Sequence, residues 1–282
     1  MSLELTILGS GTSHGIPMIG CDCPVCTSAD PRDRRGRTSA LLTFDGLRVL
    51  IDTPPELRLA CLAAGVRHID ALCFTHHHAD HVVGLDDVRI FCRHRSTGLP
   101  VYANAFTLEH LRRMFTYAFS DEPGYPSEKP NLIGHVVSGP FEIVAPPPPA
   151  VPGARTAVGG GATAGGGGAT RTFVPVPYWH GPLEVLGFRV ADVAYCPDCS
   201  DLPPSARALL TGLDVLVLDG LRRRPHPTHF NLAQAVAAAT QIGARRTYFT
   251  HIAHELPHAA TEAELPPGMY LAYDGLVLTS DG

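Results

Sequence analysis

The stretch of this chain that most constrains its fold is Thr75-His76-His77-His78-Ala79-Asp80-His81, here called the histidine loop, which directly follows the apolar run at 71–74. Imidazole nitrogens and carboxylate oxygens are the donors that zinc and similar divalent ions prefer. If the stretch leaves a buried strand as a loop, His76 and His78 point to one side, whereas Asp80 and His81 turn toward a second position. The pattern therefore predicts a loop that binds two neighbouring metal ions. The alternative is a histidine-rich surface loop without ligands.

A cysteine cluster supplies a second candidate metal site. Cys21, Cys23 and Cys26 lie too close together for a disulfide framework, and they are typical of a tetrahedral zinc site that lacks one ligand. Spacing alone leaves the fourth ligand open, and the distant candidates are His14, His226, His254, Cys196 and Cys199. A redox role for the thiols, or chance clustering, is the other interpretation. We favour a structural zinc site in a reducing compartment.

The composition is that of an ordinary globular chain of 282 residues, with 45% hydrophobic and 17% charged residues. The net charge of -5 argues against nonspecific binding to nucleic acid, which requires clustered lysines and arginines, and favours a small substrate. The N-terminal stretch has no basic leader, and no apolar run approaches the length of a membrane helix. We therefore expect a cytoplasmic protein without membrane contact, and we leave a homodimer open beside a monomer.

Two positions in the first half of the chain have more than one interpretation. The loop Gly9-Ser10-Gly11-Thr12-Ser13-His14-Gly15 is interpreted as a turn, and a phosphate cradle of backbone N–H groups is the alternative. Asp52 could orient a metal-bound histidine through a hydrogen bond, or it could cap the helix that follows. The residues expected on the buried face of that helix are Leu57, Cys61 and Leu62.

The rest of the chain alternates between strand and helix patterns. Strands are predicted at 3–8, 39–44, 48–51, 101–102, 141–144, 173–177, 185–190, 193–195, 214–218, 247–250 and 269–273, and helices at 84–91, 106–119, 203–210 and 231–242. This order predicts an α/β (α+β) protein in which two sheets pack face to face with helices outside, an αββα sandwich. We expect one domain over residues 1–282, interrupted at about 146–170 by a Pro- and Gly-rich insertion that should be a disordered loop.

Three later segments share the form of an apolar strand followed at once by a histidine or an aspartate, and they end at His180, Asp198 and His251. Strand ends at one edge of a sandwich converge on a common crevice, so these side chains could complete the coordination begun by the histidine loop. Each of them alone is more often a satisfied polar residue than a metal ligand.

The pattern His-x-His-x-Asp-His, followed later by His, Asp and His, resembles the hallmark of the metallo-β-lactamase superfamily. Within that superfamily the chain looks most similar to the PhnP family of phosphoribosyl cyclic phosphodiesterases. The PqqB type is a further relative that shares the cysteine cluster. The similarity covers nearly the whole chain, and its matching segments are residues 9–17, the cysteine cluster, 51–55, the histidine loop, 250–254 and 273–275.

The resemblance implies a role for each candidate residue. It implies that one metal is bound by His76, His78 and His180. The other metal is bound by Asp80, His81 and His251, and Asp198 bridges the two metals. It implies His254 as the fourth ligand of the zinc bound by Cys21, Cys23 and Cys26. The residues expected to act in catalysis are His229 as general acid, Asp198 and Asp80. Three departures from the family remove no ligand: Cys199 replaces a common hydroxyl residue, His77 replaces a common tyrosine, and the Gly-rich insertion is extra.

These implications define the expected function. We expect a phosphodiesterase that uses two divalent metal ions, manganese or zinc, to activate a hydroxide against a small cyclic phosphate such as phosphoribosyl 1,2-cyclic phosphate. The alternatives are another hydrolase on the same fold, acting on a nucleotide, a lactone or a thioester, and a non-enzymatic zinc-stabilised binding module. Loss of metal ligands would favour the binding module, and this chain retains the whole set.

Overall fold

The computed structural model describes residues 3–93, 95, 97–120, 127–144 and 170–280. The insertion predicted at 146–170 therefore lies outside the described residues, apart from Thr170. The strands are β1 (Leu3–Gly9), β2 (Ser39–Phe44), β3 (Leu47–Ile51), β4 (Ala71–Cys73), β5 (Leu99–Ala103), β6 (Leu132–Val136), β7 (Phe141–Val144), β8 (Thr170–His180), β9 (Leu183–Val190), β10 (Val193–Cys196), β11 (Val215–Asp219), β12 (Arg246–Thr250), β13 (Met269–Leu271) and β14 (Val277–Ser280). The α-helices are α1 (Leu57–Ala63), α2 (Ala79–Val82), α3 (Arg89–Cys92), α4 (Ala105–Met114), α5 (Pro204–Leu209), α6 (Leu232–Ile242) and α7 (His258–Glu262). Short 3₁₀ segments cover Pro31–Asp33, Val83–Val88 and Thr116–Phe119.

The described strands form two sheets of seven strands each. The first has the order β14-β1-β2-β3-β4-β5-β6, and the second has the order β13-β12-β11-β10-β9-β8-β7. Both sheets are mixed, because β3 to β6 and β10 to β13 run parallel while the other neighbours are antiparallel. Loops that follow parallel strands collect at one edge of a sheet, which is where ligands bind in such folds.

Three buried apolar clusters hold the layers together. The central cluster lies between the sheets and includes Leu5 and Val49 from the first sheet and Val217 from the second. A second cluster packs the first sheet against α1 and α4, and a third packs the second sheet against α5 and α6. This layer order confirms the predicted αββα sandwich.

Strand β11 shows how its sequence suits a layer that is covered on both faces. Val215 and Val217 belong to the cluster between the sheets, whereas Leu216 and Leu218 pack toward the helices. A parallel strand buried on both faces is apolar without alternation, and β11 fits that rule until its last residue. That residue is Asp219, which is fully buried at the carboxyl end of the strand.

Local signals explain several element ends. The β2–β3 hairpin turns at Asp45 and Gly46, whose φ angles of 44° and 84° are those that a type I′ turn requires. Helix α6 begins with a capping box between Asn231 and Gln234, and it ends at Gly243 in the left-handed conformation.

Some element predictions were wrong. The helix predicted at 84–91 is divided into a 3₁₀ segment and the short α3. Gly84 lies so close to Pro54 that a Cβ atom would sit 2.1 Å from the Pro54 carbonyl oxygen, so this position requires glycine. Leu62 is 65% exposed, since it lies about 100° around α1 from the buried Cys61. Strands β6 and β14 and helices α2 and α7 were not predicted, because these short segments carry weak patterns. Helix α2 includes Asp80 and His81 of the histidine loop, a part of the chain that was predicted as a loop. No helix within the described ranges has the length and apolarity needed to cross a membrane.

Candidate metal centre

The carboxyl ends of strands from both sheets converge on one crevice. The histidine loop follows β4, His180 ends β8, and Asp198 and His251 follow β10 and β12. The predicted ligands form two groups, and within each group the donor atoms lie within 4.8 Å of one another: His76, His78 and His180 in one, and Asp80, His81, Asp198 and His251 in the other. The structure thus brings together all seven residues that the sequence predicts for a dinuclear site.

Asp198 lies between the two groups. Its Oδ1 atom is 3.2 Å from His81 Nε2, and its Oδ2 atom is 3.2 Å from His251 Nε2. Oδ2 is also 3.9 Å from Nε2 of His76 in the other group. This is the position that a bridging carboxylate requires, and the bridging role itself stays a prediction.

Asp52 stabilises the histidine loop through three hydrogen bonds. Its Oδ1 accepts a hydrogen bond from the Thr75 backbone N–H at 2.8 Å, and its Oδ2 accepts from Thr75 Oγ1 and His81 Nδ1, both at 2.7 Å. The alternative role as a helix cap is wrong, because α1 begins after Glu56 and has no side-chain cap. Asp52 instead fixes the orientation of His81, and because Nδ1 is bonded to Asp52, Nε2 is the ring atom that would bind a metal.

Two further imidazoles are oriented in the same way. His180 Nδ1 donates to the Thr228 carbonyl at 2.7 Å, and His76 Nδ1 lies 3.0 Å from Thr75 Oγ1, whose own hydrogen goes to Asp52. The Nε2 atom of each ring is therefore the nitrogen that can donate a lone pair. His78 lies with its Nδ1 atom 3.0 Å from His76 Nε2.

Several buried donor atoms at the site lack a hydrogen-bond partner, and a bound cation would supply one. His81 Nε2, His251 Nε2 and Asp198 Oδ1 are buried and make no hydrogen bond, although buried polar atoms are nearly always paired. Nitrogen and carboxylate donors that converge in this way fit divalent metal ions. The residues present therefore suit the metals that the fold implies.

Burial and the charges of neighbouring side chains shift the pKa values of the candidate ligands. Burial lowers the pKa of His76 well below its ordinary value, which keeps the ring neutral and able to bind a metal. Burial raises the pKa of Asp198, but the charges of His251 and His81 outweigh this effect and hold the pKa well below the ordinary value. Asp198 is therefore a carboxylate, the form that can bridge two cations.

The backbone at the site is strained at three positions. Asp52, Asp198 and His251 have φ angles of 62°, 51° and 58°, a left-handed conformation that residues other than glycine seldom adopt. Each of them directly follows a strand or lies near the end of one. Strain of this kind clusters at functional sites, because the surrounding fold has to stabilise it.

One residue of the site was missed by sequence reasoning. Asp219 Oδ2 accepts a hydrogen bond from His229 Nδ1 at 2.9 Å and from the Cys199 backbone N–H at 2.8 Å. The signal was present, since Asp219 ends an apolar strand in the same way as the predicted ligands. His229 itself lies beside the ligands, with its ring centroid 4.4 Å from that of His180 and 4.6 Å from that of His251.

Asp219 also influences the ionisation of His229. Burial lowers the pKa of His229, but the charge and the hydrogen bond of Asp219 outweigh this effect, so the pKa is raised above its ordinary value. With Nδ1 held by Asp219, Nε2 is the ring atom that can exchange a proton with another molecule.

The cysteine site is completed by His254, which decides among the candidates that spacing left open. Its Nδ1 atom lies 3.2, 3.4 and 3.7 Å from the Sγ atoms of Cys21, Cys23 and Cys26. Donors around a tetrahedral zinc ion are about 3.6 Å apart, given bonds of about 2.1–2.3 Å. The backbone N–H of Cys26 is the main cause that lowers the pKa of Cys23 to about 6, which favours the thiolate that zinc binds.

The glycines at 9–15 serve close backbone packing. A Cβ atom on Gly9 would lie 1.9 Å from the Arg37 carbonyl oxygen, and one on Gly11 would lie 2.9 Å from Arg35. The backbone N–H groups of Ser10, Gly11, Thr12 and Gly15 all donate to acceptors within the protein. The alternative of a phosphate cradle is therefore wrong for these groups.

Comparison with known proteins agrees with this geometry. A β-lactamase superfamily domain model matches residues 47–252. An octanoyltransferase of Porphyromonas gingivalis is 35% identical over 285 residues, which cover 97% of this chain and 51% of that protein, so the chain spans about half the length of this relative.

Two solved structures have the same fold over almost their whole length. A crystal structure of a diphosphatase from the PhnP family has a TM-score of 0.84 and 41% identity, covering 99% of this chain and 98% of the other. Zinc-bound PqqB from Methylobacterium extorquens has a TM-score of 0.70 at 20% identity, and the match covers 98% of this chain and 99% of PqqB. The family model, the PhnP-family structure and the convergent donor groups lead to one conclusion: the chain belongs to the β-lactamase superfamily of metal-dependent hydrolases, in its PhnP-like branch.

Proposed function

We propose that the chain is a phosphodiesterase that uses two divalent metal ions to hydrolyse a small cyclic phosphate, such as phosphoribosyl 1,2-cyclic phosphate. The observation that carries the proposal is the hydrogen-bonded Asp219–His229 pair beside the two donor groups. A protein that only binds metal has no need of a buried, oriented histidine next to the ligands. A hydrolase that expels a poor leaving group does.

The chemistry divides between the metals and the side chains. Two cations bound by the donor groups would supply an activated water and polarise the phosphoryl oxygens. Asp80 and Asp198 provide negative charge for this site, and Asp52 keeps His81 in the tautomer that ligation requires. In this proposal His229, whose Nδ1 is bonded to Asp219, gives a proton from Nε2 to the leaving oxygen of the sugar.

A diphosphate is the second candidate substrate, because the structure with 41% identity is described as a diphosphatase. Both candidates require hydrolysis of a P–O bond, but their leaving groups differ. A cyclic sugar phosphate expels an alkoxide, which needs a proton, whereas a diphosphate expels a phosphate, which is already a stable anion. Dependence on the general acid therefore separates the two classes.

The experiment is a substrate panel with His229→Ala. We expect this variant to keep its full metal content and to lose on the order of a hundredfold or more in kcat for substrates with an alkyl leaving group. For a nitrophenyl phosphodiester the loss should be much smaller, because that group departs without a proton. The panel also contains a diphosphate, and an octanoyl thioester because the P. gingivalis relative is named for octanoyl transfer.

His68→Ala is the matched control, since His68 is exposed and precedes the amino end of β4, whereas the histidine loop follows the carboxyl end of that strand. It should leave every rate unchanged. Equal losses for alkyl and aryl leaving groups in His229→Ala, or a loss of metal, would refute the general-acid role. Turnover of the thioester but of no phosphate ester would refute the phosphodiesterase.

A further inference from the structure

A cleft of about 250 Å³ lies between the candidate metal centre and the cysteine site. Both His229 and His254 line it, so the cleft reaches the proposed general acid. Its further polar lining includes Ser13, His14, Arg222, Arg224, His226 and Glu255. We call it the arginine cleft. None of these six residues belongs to either predicted metal site.

The arginine cleft carries a net positive charge, and backbone carbonyl groups fix the position of Arg222. Glu255 forms a bidentate pair with Arg224 at 2.7 and 3.2 Å, whereas its nearest contact with Arg222 is 3.9 Å. Two guanidinium groups thus face one carboxylate. Arg222 Nη2 donates to the Pro225 carbonyl at 3.0 Å and Nε to the Arg224 carbonyl at 3.3 Å, so the guanidinium is fixed before any ligand arrives.

His226 adds a neutral donor next to this charge. Its Nδ1 atom accepts a hydrogen bond from the Thr228 backbone N–H at 3.3 Å, which leaves the hydrogen on Nε2. Burial, with the positive charges of His229 and Arg222, lowers the pKa of His226. The ring centroids of His226 and His229 are 5.0 Å apart, so this donor stands directly beside the proposed general acid.

The position of His229 decides which part of a substrate reaches the cleft. Under the proposed function the leaving oxygen receives its proton from His229, so the leaving-group portion of the substrate lies next to that ring. The cleft that opens there presents two arginines and a histidine N–H. Fixed guanidinium groups with additional donors are the arrangement that recognises phosphate.

We propose that the arginine cleft binds a phosphate group on the leaving-group side of the scissile P–O bond, with Arg222 and Arg224 as its cationic partners. The proposal rests on the proposed function of the neighbouring site. Two substrates share this chemistry: a sugar cyclic phosphate with a remote phosphate, and a diphosphate whose leaving group is itself the phosphate.

The test compares phosphoribosyl 1,2-cyclic phosphate with ribose 1,2-cyclic phosphate, which differ only in the remote phosphate. We expect the protein to prefer the phosphorylated substrate by about 10- to 100-fold in kcat/KM, mainly through KM, as charge-assisted hydrogen bonds of this kind provide. In Arg222→Gln the ratio between the two substrates should fall toward one. In Arg222→Lys part of the preference should remain, because the charge is kept but the fork of donors is lost.

Arg223→Gln is the matched control. Arg223 neighbours Arg222 in the chain but does not line the cleft, and it pairs with Glu264 at 2.8 Å. Its variant should keep the full preference. A purely structural role for Arg222, through its bonds to the carbonyls of 224 and 225, would reduce turnover of both substrates equally, and that result would overturn the proposal.

A diphosphate assayed with the same variants identifies the source of the phosphate. If only diphosphate hydrolysis falls in Arg222→Gln, the cleft binds the leaving phosphate. If neither class is hydrolysed, the proposed function fails, and calorimetric binding of ribose 5-phosphate then tests the cleft separately. Binding that weakens at least tenfold in Arg222→Gln but not in Arg223→Gln supports the cleft, and equal binding by all three proteins contradicts it.

Discussion

Asp52 is a fully buried carboxylate that accepts three hydrogen bonds from the histidine loop. None of its atoms is among the predicted metal ligands, yet it determines which nitrogen of His81 is available. Asp219 does the same for His229 from the end of β11. At the scale of residues, the site therefore depends as much on these orienting carboxylates as on the donors themselves.

Replacing Asp52 by asparagine tests this dependence. Asparagine tolerates the φ angle of 62° at this position, but its amide nitrogen cannot accept a hydrogen bond. One of the donors, Thr75 or His81, therefore loses its partner. We expect Asp52→Asn to weaken metal binding in the dinuclear site by about 10- to 100-fold. Metal content after dialysis against graded chelator concentrations measures the change.

Asp45→Asn is the control for Asp52→Asn. Asp45 also has a positive φ angle, of 44°, but it lies in the exposed turn of the β2–β3 hairpin. Its variant should retain metals at the same chelator concentrations as the unmodified protein. If Asp52→Asn retained them equally well, Asp52 would have no orienting role.

At the scale of elements, the segment between Ile16 and Arg35 has little structure of its own. Its two ends are paired by reciprocal backbone hydrogen bonds of 2.8 Å between Ile16 and Arg35. Its buried apolar cluster contains only Ile16, Val25 and Cys26. So small a core cannot offset the entropy of ordering the segment, and a bound zinc ion would supply the missing stability.

Cys23→Ala should therefore remove about one metal of three and destabilise the fold. A loss of about 3 kcal/mol would lower the melting temperature by roughly 6–12 °C. Mass spectrometry of the metals and thermal unfolding give the two readouts. Cys92→Ala, which removes a half-buried thiol outside both sites, should keep all the metal.

The converse variant separates the two metal sites. Asp198→Ala should abolish turnover and release metal from the dinuclear site while the zinc of the cysteine site remains. Loss of every metal in either variant would contradict the separation, and an unchanged metal content and melting temperature in Cys23→Ala would contradict the structural zinc.

At the scale of the whole molecule, the low-complexity insertion joins two strands that are already paired. The antiparallel register of β7 and β8 brings Val144 opposite Thr170, so the last described residue before the insertion and the first one after it are paired in the sheet. The chain on either side belongs to the same sheet. A change in length between these two positions does not have to alter the register of the strands.

Deleting residues 159–168 should therefore leave stability and activity almost unchanged. Loop closure depends only logarithmically on length, so the deletion changes the free energy of unfolding by about 0.5 kcal/mol. Urea unfolding and steady-state kinetics of the shortened protein measure the two effects. A tenfold loss of activity with unchanged stability would show instead that the insertion contributes to substrate binding.

Much of the fold and of the candidate site could be predicted because the signals are local. The apolar runs of β2, β3 and β11 and the caps of α6 depend on neighbouring residues, and the histidine loop carries four donors in one short stretch. Predictions were weakest where a neighbour far away in the chain decides the local structure. The fourth ligand of the cysteine site is one such case, because His254 Nδ1 lies 3.2 Å from Cys21 Sγ although the two residues are far apart in the chain.

The metal-binding character of the histidine loop and of the cysteine cluster follows from local sequence, because side-chain chemistry and short spacing are enough to identify donors. Three contacts became evident only in the folded chain: Asp52 orients His81 and caps no helix, Asp219 is hydrogen-bonded to His229, and His254 lies beside the three thiols. These partners are separated along the chain and meet through the arrangement of the strands, as when the neighbouring parallel strands β3 and β4 bring Asp52 beside His81. The order of strands in a sheet is a property of the whole fold, and no local spacing encodes it.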